Sequence, residues 1–269
     1  MAKTKLNILP VPTFSHLGVN DTERDTEQRT AERITVPENS RQVILQFQET
    51  DTETTVTVGQ NAALKLIQIF GSRTQTVSGL HTALADHARL DLIQLYLGGD
   101  TVSEIVTGLD GEKSAFSAQI GYDLGSGDVL DVNLIANHSG RKSSSEITVN
   151  GVLRGSAEKT FKGTIDFKRG AAGAVGSEKE NIILMSKNVC NKTVPVILCA
   201  EEDVVGNHGA TIGRIDERQI FYMKSRGLSE EKIYELAARS KLMQIIRMID
   251  DEDAKRRIYG ILGWSDEDE

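Results

Sequence analysis

Three side chains in the last third of the chain could carry transition-metal chemistry: Cys190, Cys199 and His208. Thiolate sulfur and imidazole nitrogen are the donors that suit iron in sulfide-rich surroundings. His81, His87 and His138 lie farther back. A permanently held cluster asks for about four such ligands, whereas the sequence has 2 cysteines, neither in a CxxC pair. Any cluster on this chain would therefore be labile or completed by another subunit. The same residues have plain structural readings. Cys199 closes the apolar run VILC, and both cysteines can serve as small buried hydrophobes. His208 can be a hydrogen-bonded turn histidine. Other chemistries lack their signatures: there is no GxSxG elbow, no HExxH and no GxxxxGK[ST] loop, and the carboxylates follow no pattern. A standard hydrolase or NTPase is not expected.

The elements that must position these residues are short strands. From Ile34 onward, β-rich runs follow one another: Val43–Phe47, Thr54–Val58, Leu64–Phe70, Leu90–Leu97, Val102–Val106, Ser117–Tyr122, Val129–Ile135, Glu146–Val149, Lys159–Phe167, Ile182–Met185 and Val194–Leu198. Many alternate apolar with polar residues between Gly, Asn, Asp or Ser clusters, which predicts an all-β body. NAALKLIQIF at Asn61–Phe70 and HARLDLIQLY at His87–Tyr96 align without gaps, 26 residues apart. A looser echo, GDVLDVNL, occupies Gly127–Leu134. Repeats of that size suit a solenoid whose coils bury their apolar edges on each other. A sandwich with two similar strands stays open on this pattern alone.

The 269 residues carry a net charge of −8 and a pI near 5.3, which disfavours a nucleic-acid backbone as partner. Aromatic residues make up 5%, too few for a base-stacking platform. The N-terminus MAKTKLNILPVPTF has no secretory apolar region, and no stretch reaches the roughly 18 apolar residues of a membrane helix. With 2 cysteines and no export signal, a cytoplasmic location is expected.

The polar run Asn20–Arg33, NDTERDTEQRTAER, predicts a solvated turn or short frayed helix. At the other end, Ser229 can cap a helix with Glu230 and Glu231 in its first turn. Ile233, Leu236, Ala237, Met243, Ile246 and Ile249 then recur at helical spacing. Asp250 or Asp251 can cap a second helix holding Ile258, Ile261 and Leu262. This apolar face either packs on the chain's own body or, with Met243 and Met248 adaptable, docks a partner. The expected organisation is an N-terminal polar segment over 1–33, a β core over 34–227 and a helical subdomain over 228–269.

GNHGATIGRIDERQIFYMKSRGL, from Gly206 to Leu228, resembles the C-terminal signature of the SufB/SufD family of iron–sulfur cluster assembly proteins. It looks most like the SufD branch, in a short form. Upstream, GVLRGSAEKTFKGTIDFKRGA and NIILMS are similar to that family's last coils, and His138 matches a histidine the family carries just before them. The resemblance implies a right-handed parallel β-helix with a C-terminal helical subdomain, acting as a scaffold for nascent clusters rather than as an enzyme. It implies dimerisation through the β-helix, with an identical chain or a SufB-like sister. It also implies docking of a SufC-type ABC ATPase on the C-terminal helices, through Ile233, Leu236, Met243, Ile246 and Ile249. His208 matches the histidine that the SufD branch contributes to a transient iron–sulfur cluster at the dimer interface. Cys190 lies within one position of the SufB-branch cysteine. Gly209 stands where SufB has Glu, and Gly206 where SufD proteins often have Cys. Two other classes would fit a β-solenoid: a non-catalytic binding or structural module, which would want exposed aromatics, and a polysaccharide-active enzyme, which would want paired carboxylates along a groove.

Overall fold

The computed structural model describes residues 3–25, 29–71 and 75–264. Its body is a parallel β-solenoid in which successive strands alternate between two facing seven-stranded sheets. One sheet holds β3 (Thr30–Val36), β5 (Thr52–Val58), β7 (Gln75–Leu84), β9 (Asp100–Leu109), β11 (Val129–His138), β13 (Glu158–Phe167) and β15 (Cys190–Cys199). The other holds β4 (Arg41–Gln48), β6 (Ala63–Phe70), β8 (Arg89–Tyr96), β10 (Ala115–Leu124), β12 (Ser144–Leu153), β14 (Ala174–Leu184) and β16 (Val204–Gly213). Each coil thus adds one strand to each sheet and stacks on the coil before it.

The 26-residue echo is the stacking register itself: Leu64 pairs with Leu90, Leu66 with Leu92, Ile67 with Ile93 and Gln68 with Gln94. Leu64, Leu66 and Phe70 face the lumen and join the main core, while Ile67 and Ile69 face outward into a second apolar cluster. Both faces of the strand are buried, as expected for a parallel sheet covered on both sides. Stacking also satisfies the polar members of the repeat. Gln94 donates to the Gln68 carbonyl oxygen at 2.9 Å, Gln68 donates to Gln46 at 3.1 Å, and the Phe70 and Tyr96 rings stack at 4.6 Å. The looser echo is a correction: Val129 to Leu134 lie on β11 in the opposite sheet, so Gly127–Leu134 does not continue that column. The corners recur too. Asn39, Asn61, His87, Lys113 and Lys142 all adopt left-handed backbone angles just before an even-numbered strand. His87 is therefore a corner residue, exposed and away from the other candidate ligands.

Three helices follow the last strand: α1 (Glu217–Ser225), α2 (Glu230–Ile246) and α3 (Glu252–Leu262). Ser229 accepts a hydrogen bond from the Lys232 amide and Asp251 from the Ala254 amide, so both expected caps form. The helices α2 and α3 cover the outer face of the even-numbered sheet, placing Leu242, Ile245 and Ile258 against Ile67, Ile93 and Val152. The absent side chain at Gly121 lets Ile245 and Leu242 of α2 lie directly on β10. Arg257 sits 3.7 Å from the centre of the Phe47 ring and pairs with Glu49, tying α3 to β4. Replacing Arg257 with Ala is expected to lower stability by about 1 kcal/mol, measured by urea unfolding.

The polar N-terminal run corrects expectation. Thr22–Asp25 forms a strand, β2, antiparallel to β1 (Lys3–Leu6), and Thr30–Arg33 already belongs to β3; residues 26–28 lie outside the described residues. This segment straps the outer face of the odd-numbered sheet. Leu6 packs with Val77 and Val102, and Leu9 and Val19 with Val194. Asn7 donates to Asp131, whose carboxylate also meets the buried Lys162 ammonium at 3.0 Å. A frayed helix loses here because the run itself meets the sheet's outward carboxylates: Thr22 donates to Asp131 and Arg24 pairs with Asp100.

Candidate functional site

Among the described residues, no coil stacks beyond the last one, made of β15 and β16. Within the expected β core, Val204–Gly213 is a ten-residue strand hydrogen-bonded to β14. It needs no apolar pattern, because its side chains are exposed on both faces. His208 is thus a strand residue, exposed at the open end of the solenoid, rather than a turn histidine.

Register decides which way His208 faces. It pairs with Glu178, and partners on adjacent parallel strands share a face. On β14 the buried residues are Ala174, Gly176, Glu178, Glu180 and Ile182, the lumenal row. His208 therefore caps a lumenal column directly above Glu178. Below it lies a charged cluster that the sequence reading missed. Lys159 on β13 forms an ion pair with Glu180, and its ammonium also donates to Asn191 and Thr193, each at 3.1 Å. The Lys159 ammonium stands 5.9 Å from the Tyr122 ring centre and 5.6 Å from that of Phe161. Burial pulls the Lys159 ammonium down from its usual value, with Glu180 opposing. Burial, then the neighbouring Glu180, pushes the Glu178 carboxyl up to about 7, with Lys159 pulling it back. The Glu178 carboxylate lies against Gly163, where any side chain would collide with it. The only sequence signal was the alternation Glu178, Glu180, Ile182, which reads as a polar run unless its pairing is known.

The cysteines fall on opposite faces. Cys190 pairs with the exposed Glu158 and shares its outward side with Val194, which packs under the N-terminal strap. Cys199 pairs with Phe167, a lumenal core residue, and its thiol donates to the Glu201 carbonyl at 3.0 Å. Neither is a buried hydrophobe: Cys190 is half-buried and Cys199 exposed. Gly163, under the Glu178 carboxylate, pairs with Pro195, which places Pro195 across the lumen from His208. Cys190 is five residues back, at the start of β15, about 16 Å at strand rise. One chain therefore does not bring Cys190 and His208 together. Among the described residues, no three His, Cys, Asp or Glu side chains stand close enough to hold a metal ion between them.

His138 has another role. It is fully buried beside Phe167 and hydrogen-bonded through both ring nitrogens, to Ser143 and Ser145 at 2.8 Å each. Burial lowers its pKa to about 4. His81 lies on β7 at 2.8 Å from Glu53, on another part of the solenoid.

The helical residues expected to receive a partner divide. Ile233, Ile246 and Ile249 are 0–1% exposed within the chain's own helix and sheet cluster, which corrects the expected docking face for those three. Met243 is half-buried in the same cluster, and Leu236 is 44% exposed. The apolar stripe is consumed by the sheet, and the outer surface instead presents Phe221, Tyr222, Leu236 and Met248. Phe221 and Tyr222 point to solvent on α1. Among the described residues no helix is long and apolar enough to cross a membrane.

Residues 22–240 match the family described as SUF system FeS cluster assembly, SufBD core domain. The chain is 27% identical over 217 residues to the iron–sulfur cluster assembly protein SufD of Bacillus subtilis, covering 77% of this chain and 48% of that protein. It is 26% identical over 212 residues to SufD of Escherichia coli, covering 78% and 50%. A SufBD family iron–sulfur cluster assembly protein of Mycobacterium leprae is 29% identical over 130 residues, 48% of this chain and 15% of the other. The chain spans about half the length of the two SufD relatives.

Proposed function

Because the chain belongs to the SufBD core family of the SUF iron–sulfur cluster assembly system, we propose that it is a non-catalytic scaffold on which a transient cluster is built between two subunits. The reading rests chiefly on the position of His208, an imidazole donor on the lumenal row of a strand that is paired along one edge only. A second subunit, an identical chain or a SufB-like sister, joins at the open last coil through its own edge strands. The cluster, as cargo, takes His208 from one subunit and a thiolate from the other. Cys190 is the thiolate assigned, because its distance from His208 within one chain leaves it to serve across the interface.

A SufC-type ABC ATPase docks on the outer surface of the C-terminal helices, where Phe221, Tyr222, Leu236 and Met248 are exposed. Closure of two ATPase subunits on ATP would pull on α2. Since α2 packs on β10 through Leu242 and Ile245 at Gly121, the pull reaches the sheet as strain rather than dissipating in a flexible tail. The movement exposes the ligands at the subunit junction.

Anaerobic co-purification with the ATPase is expected to yield bound iron and sulfide, and Cys190→Ser together with His208→Ala is expected to abolish both. Unchanged iron and sulfide in the double variant would overturn the site assignment. Failure of a SufC-type ATPase to co-purify would overturn the docking half.

A further inference from the structure

We infer that Glu178 is a second donor to the metal that His208 receives, so that the lumen mouth is a mixed imidazole and carboxylate acceptor for a divalent first-row cation such as ferrous iron. This rests on the reading of His208 as an iron ligand. The two residues are register partners on β14 and β16 and share the lumenal face, which sets their Cα atoms about 4.8 Å apart. A cation held by the imidazole above therefore lies within reach of the carboxylate below.

Glu178 lacks a structural explanation of its own. It is 3% exposed, and among the described residues its carboxylate accepts no hydrogen bond. Among the described residues, the enclosed oxygen of this cluster without a partner is Glu180 Oε2, not one of Glu178. The one favourable neighbour of Glu178 is the charge of Lys159, and that ammonium is already bound by Glu180, Asn191 and Thr193. Lys159, Glu178 and Glu180 bring one ammonium against two carboxylates, and Glu178 is the acid left over. The backbone is also shaped for it, because Gly163 leaves room for the carboxylate where a side chain would block it.

The donor set fixes the ligand class. Carboxylate oxygen with imidazole nitrogen suits a divalent ion of the manganese-to-zinc series better than a sulfur species, which prefers thiolate-bound iron. The pair is thus an entry point for the metal before sulfide is present. No three donors converge within the described chain, so water or groups of a second subunit complete the coordination sphere.

The test is anaerobic titration of the purified full chain with cobalt(II), followed by its visible absorption, and with ferrous iron, followed by bound metal. Wild type, Glu178→Gln and His208→Ala are compared. Glu178→Gln keeps the shape and replaces a carboxyl whose charged form burial disfavours, so it is expected to melt no lower than wild type. It is expected to bind cobalt at least tenfold more weakly, with His208→Ala losing the site. If Glu178→Gln binds like wild type while His208→Ala does not bind, the role of Glu178 is overturned and that of His208 stands. If neither variant differs from wild type, or wild type binds no cobalt, both fall.

Discussion

Lys159→Ala is expected to destabilise the protein by about 3–5 kcal/mol at pH 8, the usual cost of removing one partner from a buried ion pair. Lys159 and Glu180 have side-chain exposures of 0% and 1%. Alanine would leave Glu180 and Glu178 facing each other in the lumen with no cation between them. Two adjacent carboxylates in that surrounding avoid the cost by binding protons. The loss should therefore shrink when the pH is lowered toward 5, and urea unfolding at pH 5 and pH 8 separates the two cases. Lys159→Met combined with Glu180→Leu should recover most of the stability, since a hydrophobic pair of similar volume often replaces a buried ion pair at little cost. The exposed pair Lys65–Asp250, where the aspartate is 86% exposed, serves as the contrast: Lys65→Ala should cost less than about 1 kcal/mol. A Lys159→Ala protein within about 1 kcal/mol of wild type at pH 8 would contradict the lumenal ion pair.

The second large effect is a pH dependence set by His138. Its folded pKa is about 4, against an ordinary value of 6.5. Between those values the unfolded chain holds a proton on this histidine and the folded chain does not. Stability contributed by the neutral ring is therefore complete above pH 6.5 and is lost as the pH falls toward 4. The difference corresponds to about 3 kcal/mol at 1.36 kcal/mol per pKa unit. The physical cause is burial beside Phe167, with both ring nitrogens committed to Ser143 and Ser145. In the neutral ring one nitrogen donates and the other accepts, and two hydroxyls can meet either arrangement. His138→Gln should cost stability at neutral pH but flatten the decline between pH 6.5 and 4. Parallel urea-midpoint curves for the two proteins across that range would show that the ring is protonated in the fold.

The stacked repeat was legible for a simple reason. Coils that bury the same row on each other repeat the same residues, so LKLIQIF over LDLIQLY already carried the register later found in β6 and β8. The helix caps at Ser229 and Asp251 were equally legible, because a cap is a local hydrogen bond to the next turn. β16 was not. An edge strand exposed on both faces can be held by backbone hydrogen bonds along one side, so small residues such as those of GNHGATIG suffice and no alternating pattern announces it. The direction of each cysteine was hidden for a related reason, since a shift of one residue in register exchanges lumen for outside.

By itself, the sequence marked an all-β body and the family and singled out His208 as a candidate donor, because composition, repeat and signature residues are properties of the chain alone. Tertiary structure decided what each apolar or charged row meets. Helical spacing marked Ile233, Ile246 and Ile249 as a buried face but could not say whether a partner or the chain's own sheet buries it, and the sheet does. The lumenal column of His208 over Glu178, beside the Lys159–Glu180 pair, likewise exists only when distant strands stack in register. Side-chain direction in a strand is set by its pairing, and pairing is made between coils rather than within them.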